Sequence, residues 1–187
     1  VIQMKYVIIG NSAAAVGCVE GIRTVDKMGE ITVISGEPYH VYSRPLISYL
    51  IYGRTTEEGM KYRPDSFYKD NGVTLLLGVT AAKVDYSDKK VIMDNGSEVA
   101  FDKLLFATGS SPFVPPMAGL DEVEQKFTFM KLDDAKALHA AITKESRVLI
   151  IGSGLIGLKC AEGIFGKVKE ITVVDMASHI LPSILDE

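Results

Sequence analysis

The residues whose types and spacing carry the most chemistry are three glycines in Gly152-Ser-Gly154-Leu-Ile-Gly157, a complete GxGxxG. Gly152 allows a sharp turn, Gly154 puts no side chain in the way of an approaching pyrophosphate, and Gly157 lets the following helix pack close to the preceding strand. The start of that helix offers unpaired N–H groups and the positive end of its dipole to phosphate oxygens. A glycine-rich turn by itself is compatible with a purely structural role. This one follows an apolar β-branched run, opens a helical stretch, and is followed by Asp175, 23 residues beyond Gly152. That is close to the ~20-residue spacing of a carboxylate that accepts ribose hydroxyls. No arginine follows Asp175 directly, which favours NADH over NADPH. A degenerate version lies near the start of the chain, Gly10-Asn-Ser12-Ala-Ala-Ala15, where Ser12 and Ala15 take the second and third glycine positions. Both are small, so close backbone approach is retained. Glu37, just past the next β-branched run, is the corresponding ribose candidate.

The elements that must position these turns come from an internal repeat. Residues 8–22 read IIGNSAAAVGCVEGI and residues 150–164 read IIGSGLIGLKCAEGI; EITV recurs at 30–33 and 170–173. The offset is 142 in the first stretch and 140 in the second, so one connecting turn is two residues shorter. Each copy reads as buried strand, tight turn, helix and strand, with strands at 6–9 and 31–35 and again at 148–151 and 171–175. Between the copies the pattern predicts short strands over 73–94, a hairpin turn at Asn95-Gly96 and a buried strand over 103–107. Pro112, Pro115 and Pro116 then break the chain before a helix over 132–142 with Asp133 and Asp134 in its first turn. The expected fold class is α/β, with two Rossmann-like dinucleotide-binding βαβ units and a small β-meander, both domains incomplete. The expected division is 1–114 for the first domain and 115–187 for the second.

Composition narrows the function classes. The chain has 187 residues, 47% hydrophobic and 24% charged, with net charge −4 and pI about 5.5. This acidic balance argues against a nucleic-acid partner. No apolar run approaches the ~20 residues of a membrane span, and no signal peptide is evident. Two cysteines make no disulfide framework, so a reduced, cytoplasmic location is expected. The three residues before Met4 read as a tag scar. Cys18 and Cys160 occupy the same repeat position and read as core residues rather than a redox pair. His40, His139 and His179 lack metal-ligand spacing; His40 reads as a solvated loop residue and His139 as a surface one. The tyrosines at 39, 42, 49, 52, 62 and 68 read as packing residues.

Two dinucleotide turns in one chain imply two dinucleotides, and a flavin with a nicotinamide makes a hydride relay. The segments KYVIIGNSAAA (5–15), ITVISGEPYHVYSRPLISYLIYG (31–53), FDKLLFATGSSP (101–112), VLIIGSGLIGL (148–158) and ITVVDMASHILP (171–182) resemble the N-terminal part of the FAD-dependent pyridine nucleotide oxidoreductases. The similarity is greatest to the branch with NADH:rubredoxin reductases and nitrite reductase flavoproteins. That resemblance implies that Gly10, Ser12, Ala13, Ala14 and Ala15 surround the FAD pyrophosphate and that Glu37 binds its ribose. It implies that Arg44 and Pro45 lie near the flavin or phosphates and that Ala81 contacts the adenine through its backbone. It also implies that Ala107, Thr108 and Gly109 form the second FAD motif and that Gly152, Gly154, Leu155, Ile156, Gly157 and Asp175 hold NADH. Disulfide-reducing relatives need a cysteine pair near the flavin, or a cysteine about where Pro45 stands, and this chain has neither. Lys159 stands where the family commonly has a glutamate, and Lys131 or Met130 about where it has an arginine. The chain also ends at Glu187, before the family's return segment and interface domain, and is read as a fragment or an unusual subunit. The function implied is an FAD-dependent NADH oxidoreductase, with no protein acid or base as a catalytic residue. It would pass electrons to a small redox protein, a partner subunit or an attached redox module, and would form a homo- or hetero-oligomer. The alternative is a non-turnover dinucleotide-binding redox sensor or docking subunit.

Overall fold

The computed structural model describes residues 3–186; Val1, Ile2 (the first two residues of the supposed scar) and Glu187 lie outside them. The chain forms two compact units. One contains residues up to Ser43 together with Lys61–Ser110, and the other Arg44–Met60 together with the chain from Ser111 onward. Arg44–Met60 lies within 1–114 in chain order, yet it packs with the elements of the second unit.

In the first unit, β1 (Lys5–Ile9), β2 (Glu30–Ser35), β3 (Val73–Leu77) and β7 (Lys103–Phe106) form one parallel sheet in the order β3-β2-β1-β7. The β-branched runs of β1 and β2 suit a sheet covered on both faces. Alternation along them sends Ile8, Ile31 and Val33 to one face and Val7, Ile9 and Ile34 to the other. Helix α1 (Ala13–Val25) covers the first face with Ala15, Val16 and Val19, which share one helical stripe. A meander of β4 (Ala81–Asp85), β5 (Lys90–Met93) and β6 (Glu98–Ala100) covers the second through Val91 and Met93, joined by Phe101. The Asn95-Gly96 turn joins β5 to β6, with Gly96 at φ 81°. The 73–94 stretch divides as its side chains demand: β3 joins the parallel sheet, while β4 and β5 join the meander. The short helix α3 (Phe67–Asp70) adds buried Phe67 and Tyr68 to the α1 side. Strand β7 is not buried as expected. Among the described residues it is an edge strand with a neighbour on the β1 side alone, and Phe106 at its end is 54% exposed.

In the second unit, β8 (Arg147–Ile151) and β9 (Glu170–Val174) pair in parallel, linked by α5 (Leu155–Ile164). Helix α2 (Ile47–Tyr52) packs on α5 and on α4 (Leu132–Ala141). Helix α4 buries Leu132, Ala135 and Leu138, three residues apart, and Asp134 accepts the backbone N–H groups of Met130 and Lys131 at 3.0 Å. This caps the helix and puts acidic charge at its positive end. The β8–β9 pair departs from the expectation of buried strands. Ile150 is buried, but Leu149, Ile151 and Val174 on the opposite face are exposed. Among the described residues, no helix is long and apolar enough to cross a membrane.

Candidate functional site

The two glycine turns share the same backbone frame. In the first, Gly10 adopts φ 116°, and its N–H donates to the Ile34 carbonyl at 2.8 Å. In the second, Gly152 adopts φ 107°, and its N–H donates to the Val174 carbonyl, again at 2.8 Å. That conformation is open to glycine and strained for any other residue. The first backbone bond of α1 runs from Val16 N–H to the Ser12 carbonyl, and that of α5 from Leu158 N–H to the Gly154 carbonyl, both at 3.1 Å. The N–H groups of Ala13, Ala14 and Ala15, and of Leu155, Ile156 and Gly157, therefore lie ahead of each helix's own ladder. Neither helix carries an acidic residue in its first turn, and neither cap residue, Ser12 or Gly154, closes the end with a side-chain bond. Both helix ends are thus electropositive and open, which is what an anion such as pyrophosphate requires.

The turns differ where their sequences differ. A Cβ on Gly10 would lie 2.0 Å from the carbonyl oxygen of Ala107, whose own N–H donates to the Ile9 carbonyl at 2.7 Å. The first turn is thus pressed against the end of β7, where Ala107, exposed Thr108 and exposed Gly109 (φ 69°) follow. A Cβ on Gly152 would meet nothing within 4 Å; among the described residues β8 pairs with β9 alone. Conversely, a Cβ on Gly157 would lie 2.0 Å from the Gly152 carbonyl oxygen, whereas Ala15 at the matching position is accommodated in the core. Glycine is therefore required at the third position only in the second copy. Its helix lies nearer its turn.

The carboxylates also differ. One oxygen of Asp175 accepts the Ser153 N–H at 2.6 Å and the Ser153 hydroxyl at 2.8 Å, and the other accepts the Ala177 N–H at 2.9 Å. These bonds, the Ser153 N–H first, pull the Asp175 carboxyl down to about 2. Asp175 is exposed and ionised, and it braces the buried Ser153 within the turn. The matching residue in the first copy is Ser35, and the acid stands two residues later at Glu37. The Tyr42 hydroxyl donates to Glu37 at 2.6 Å. Asn11, the counterpart of Ser153, donates to the Tyr39 carbonyl and accepts from the Tyr68 hydroxyl. The sequence reading missed Ser153 and Tyr42 as partners of the two acids. A hydroxyl one position after the first turn glycine was the available signal for Ser153.

The remaining candidates fall on both units. Ala81 opens β4 beside the Val91 and Met93 core. Arg44 and Pro45 open the turn before α2, and Arg44 donates to the Met130 carbonyl at 3.4 Å. Lys159, flagged for its charge, pairs with Glu162 and sits over the Tyr49 ring at 4.1 Å. His40 is not the solvated residue expected: its Nε2 is buried without a hydrogen-bond partner, and its ring stands edge-on to Tyr68 at 5.0 Å. His139 is exposed, as expected. Cys160 is buried and Cys18 partly so, both as free thiols; burial raises both and lifts Cys160 to about 11. A thiol so raised is a poor nucleophile. Among the described residues, no cluster of His, Cys, Asp or Glu could hold a metal ion.

Comparison with known proteins places the chain in a family. The family described as "Pyridine nucleotide-disulphide oxidoreductase" matches residues 4–187. The epsilon subunit of the NADH-dependent phenylglyoxylate dehydrogenase of Aromatoleum evansii is 33% identical over 98% of this chain and 43% of its own length. The rubredoxin-NAD(+) reductase of Pseudomonas putida is 28% identical over 97% of this chain and 47% of its own. Among solved structures, the NAD-dependent persulfide reductase of A. fulgidus superposes with a TM-score of 0.82 at 28% identity, covering 98% of this chain and 36% of that one. The chain therefore spans less than half the length of each of these relatives.

Proposed function

The chain belongs to the pyridine nucleotide-disulphide oxidoreductase family, and from that premise we propose that it carries the two dinucleotide turns of an FAD-dependent NADH oxidoreductase. The observation that carries this reading is the pair of matched turns, each offering three helix-start N–H groups beside a glycine at strongly positive φ. We assign the first turn to FAD, with Gly10, Ser12, Ala13, Ala14 and Ala15 at the pyrophosphate and Glu37 at the ribose. Arg44, Pro45, Ala81, Ala107, Thr108 and Gly109 complete that set. The second turn is assigned to NADH, with Gly152, Gly154, Leu155, Ile156 and Gly157 at the pyrophosphate and Asp175 at the ribose. We keep 1–114 as the FAD-binding portion and 115–187 as the NADH-binding portion, with Arg44–Met60 packed in the latter's unit.

When bound, the two groups supply a hydride relay from nicotinamide to flavin. The chain's own residues bind and orient. The amides of 13–15 and 155–157 neutralise phosphate charge without moving. Asp175, kept ionised by Ser153, stays an acceptor at any pH near neutrality. No side chain is assigned a proton-transfer role. The only two cysteines, 18 and 160, fall on separate helices, and Pro45 stands where a single redox cysteine would be needed. The acceptor is accordingly a redox partner rather than a disulfide at this chain: a small redox protein or an attached redox module. The relatives' names are those of turnover enzymes, a dehydrogenase subunit and reductases, which favours this over a silent sensor. A cytoplasmic location is proposed with it.

The test is the visible spectrum of the full-length gene product before and after anaerobic addition of NADH. A flavin spectrum that bleaches supports the reading. A flavin that stays oxidised, or a colourless protein, overturns it.

A further inference from the structure

Lys159 departs from its counterpart in the internal repeat. The first copy has Gly17 there, on a face of α1 where an added Cβ would meet nothing within 4 Å. The second copy has a lysine, and α2 covers it. Two neighbours on α5 define that contact. Gly163, one turn further on the same face, lets α2 come so close that an added Cβ would lie 3.0 Å from the Ser48 carbonyl oxygen. In the first copy the matching Gly21 faces open space. Glu162, the other neighbour, pairs with Lys159 and also with Arg54 at 3.5 Å. Its twin Glu20 pairs with Arg63 at 2.8 Å. The glutamate thus has an arginine in both copies, and the lysine is an addition special to the second.

What the lysine adds is a hold on α2. Its ammonium lies 4.1 Å from the centre of the Tyr49 ring, and Arg54 stacks on Tyr52 at 4.5 Å. Arg54 is turned back towards the helix by Gly53, at φ 96°, which ends α2 with the Arg54 N–H on the Tyr49 carbonyl at 2.9 Å. On its other side α5 meets the turn itself through Gly157. A short helix beside a two-stranded sheet is thus fixed from two directions, by its own turn and by α2.

We propose that Lys159 is a positioning residue: seated on Tyr49 and paired with Glu162, it fixes α5 on α2 and so holds the Gly152–Gly157 turn in the attitude that takes NADH. This rests on the reading of that turn as the NADH site. The experiment measures, on the flavin-loaded full-length protein, the NADH dissociation constant by fluorescence titration and the thermal midpoint. The variants are Lys159→Met, Lys159→Arg, Tyr49→Leu and the Lys159→Met/Tyr49→Leu pair. Lys159→Met raises the dissociation constant about fivefold, on the scale of one partly desolvated cation–π contact with its ion pair. Lys159→Arg, which keeps the charge and stacks on a ring, restores it to within about twofold. Tyr49→Leu reproduces the Lys159→Met effect from the α2 side. The double variant is no worse than either single one, in binding and in midpoint, as expected of two residues sharing one contact. Unchanged NADH binding in Lys159→Met or Tyr49→Leu, or failure of Lys159→Arg to rescue, would overturn the proposal. So would simple additivity of the two substitutions in thermal midpoint, whatever the turn binds. Absence of NADH binding by the unaltered protein would instead overturn the reading of the turn.

Discussion

Asp175 shows how one carboxylate can brace a glycine turn. Its three bonds to Ser153 and Ala177 are strongest while it is ionised, so protonation weakens the turn from within. Its carboxyl is depressed in the folded chain, to about 2 from 3.8. The stabilisation it gives is therefore complete above pH 3.8 and is lost as pH falls through about 2. Asp175→Asn removes that charge at every pH. The gap in thermal midpoint between it and the unaltered protein is expected to be constant from neutrality to about pH 4 and to close towards pH 2. A gap that persists at pH 2 would mean that the carboxylate is not the brace. Gly10 offers a second residue-scale test. Gly10→Ala would bring a Cβ to 2.0 Å from a backbone oxygen that cannot swing aside, at a φ that disfavours any side chain. A loss of ~2–4 kcal/mol in urea unfolding is expected, with loss of bound flavin.

At the scale of elements, the repeat supplies its own control. Gly21 and Gly163 are the same residue in the same helix of the two copies, yet only Gly163 lies against another helix. Gly21→Ala gains helix propensity with nothing to strike and is expected to stabilise by ~0.5–1 kcal/mol. Gly163→Ala gains the same propensity but must push α2 away from the Ser48 backbone, and is expected to destabilise by ~1–3 kcal/mol. Chemical denaturation of both variants checks the pair; equal signs would mean that α2 does not seat on α5 as described. The same logic applies at Gly157. Gly157→Ala is expected to weaken NADH binding by ~10-fold or more in titration, by lifting α5 off the Gly152 carbonyl. Ala15 shows that the first copy tolerates that methyl group.

For the whole molecule, the parallel sheet of the first unit is covered on both faces, whereas the β8–β9 pair is covered on one. Hydrogen exchange is therefore expected to be slowest in β1 and β2 and faster in β8 and β9, because protection follows buried contacts and ladder partners on both sides. Equal protection of the two strand pairs in a peptide-resolved exchange experiment would contradict this. On the proposed assignment of the second turn, NADH is expected to slow exchange at 152–158 specifically, since a ligand stabilises the segment that binds it.

The sequence by itself determined the repeat, the order strand–turn–helix–strand in each copy and the position of both turns. The reason is local: a glycine at positive φ, a β-branched run and a helix start are each specified by a few adjacent residues. It also placed the Asn95-Gly96 hairpin and the capped helix α4, which are local in the same sense. Tertiary structure alone decided what lies beside each element. It made β7 an edge strand and left one face of β8 bare, because exposure depends on whether a further strand or helix is at hand, not on the run's own composition. It buried the His40 Nε2 against its expected solvation and tied Asp175 to Ser153. It also grouped Arg44–Met60 with elements more than fifty residues distant in the chain. Lys159 shows the division most plainly. Its charge was legible as a departure from the family, but its seat on Tyr49 could be seen only once two segments far apart in sequence were folded together.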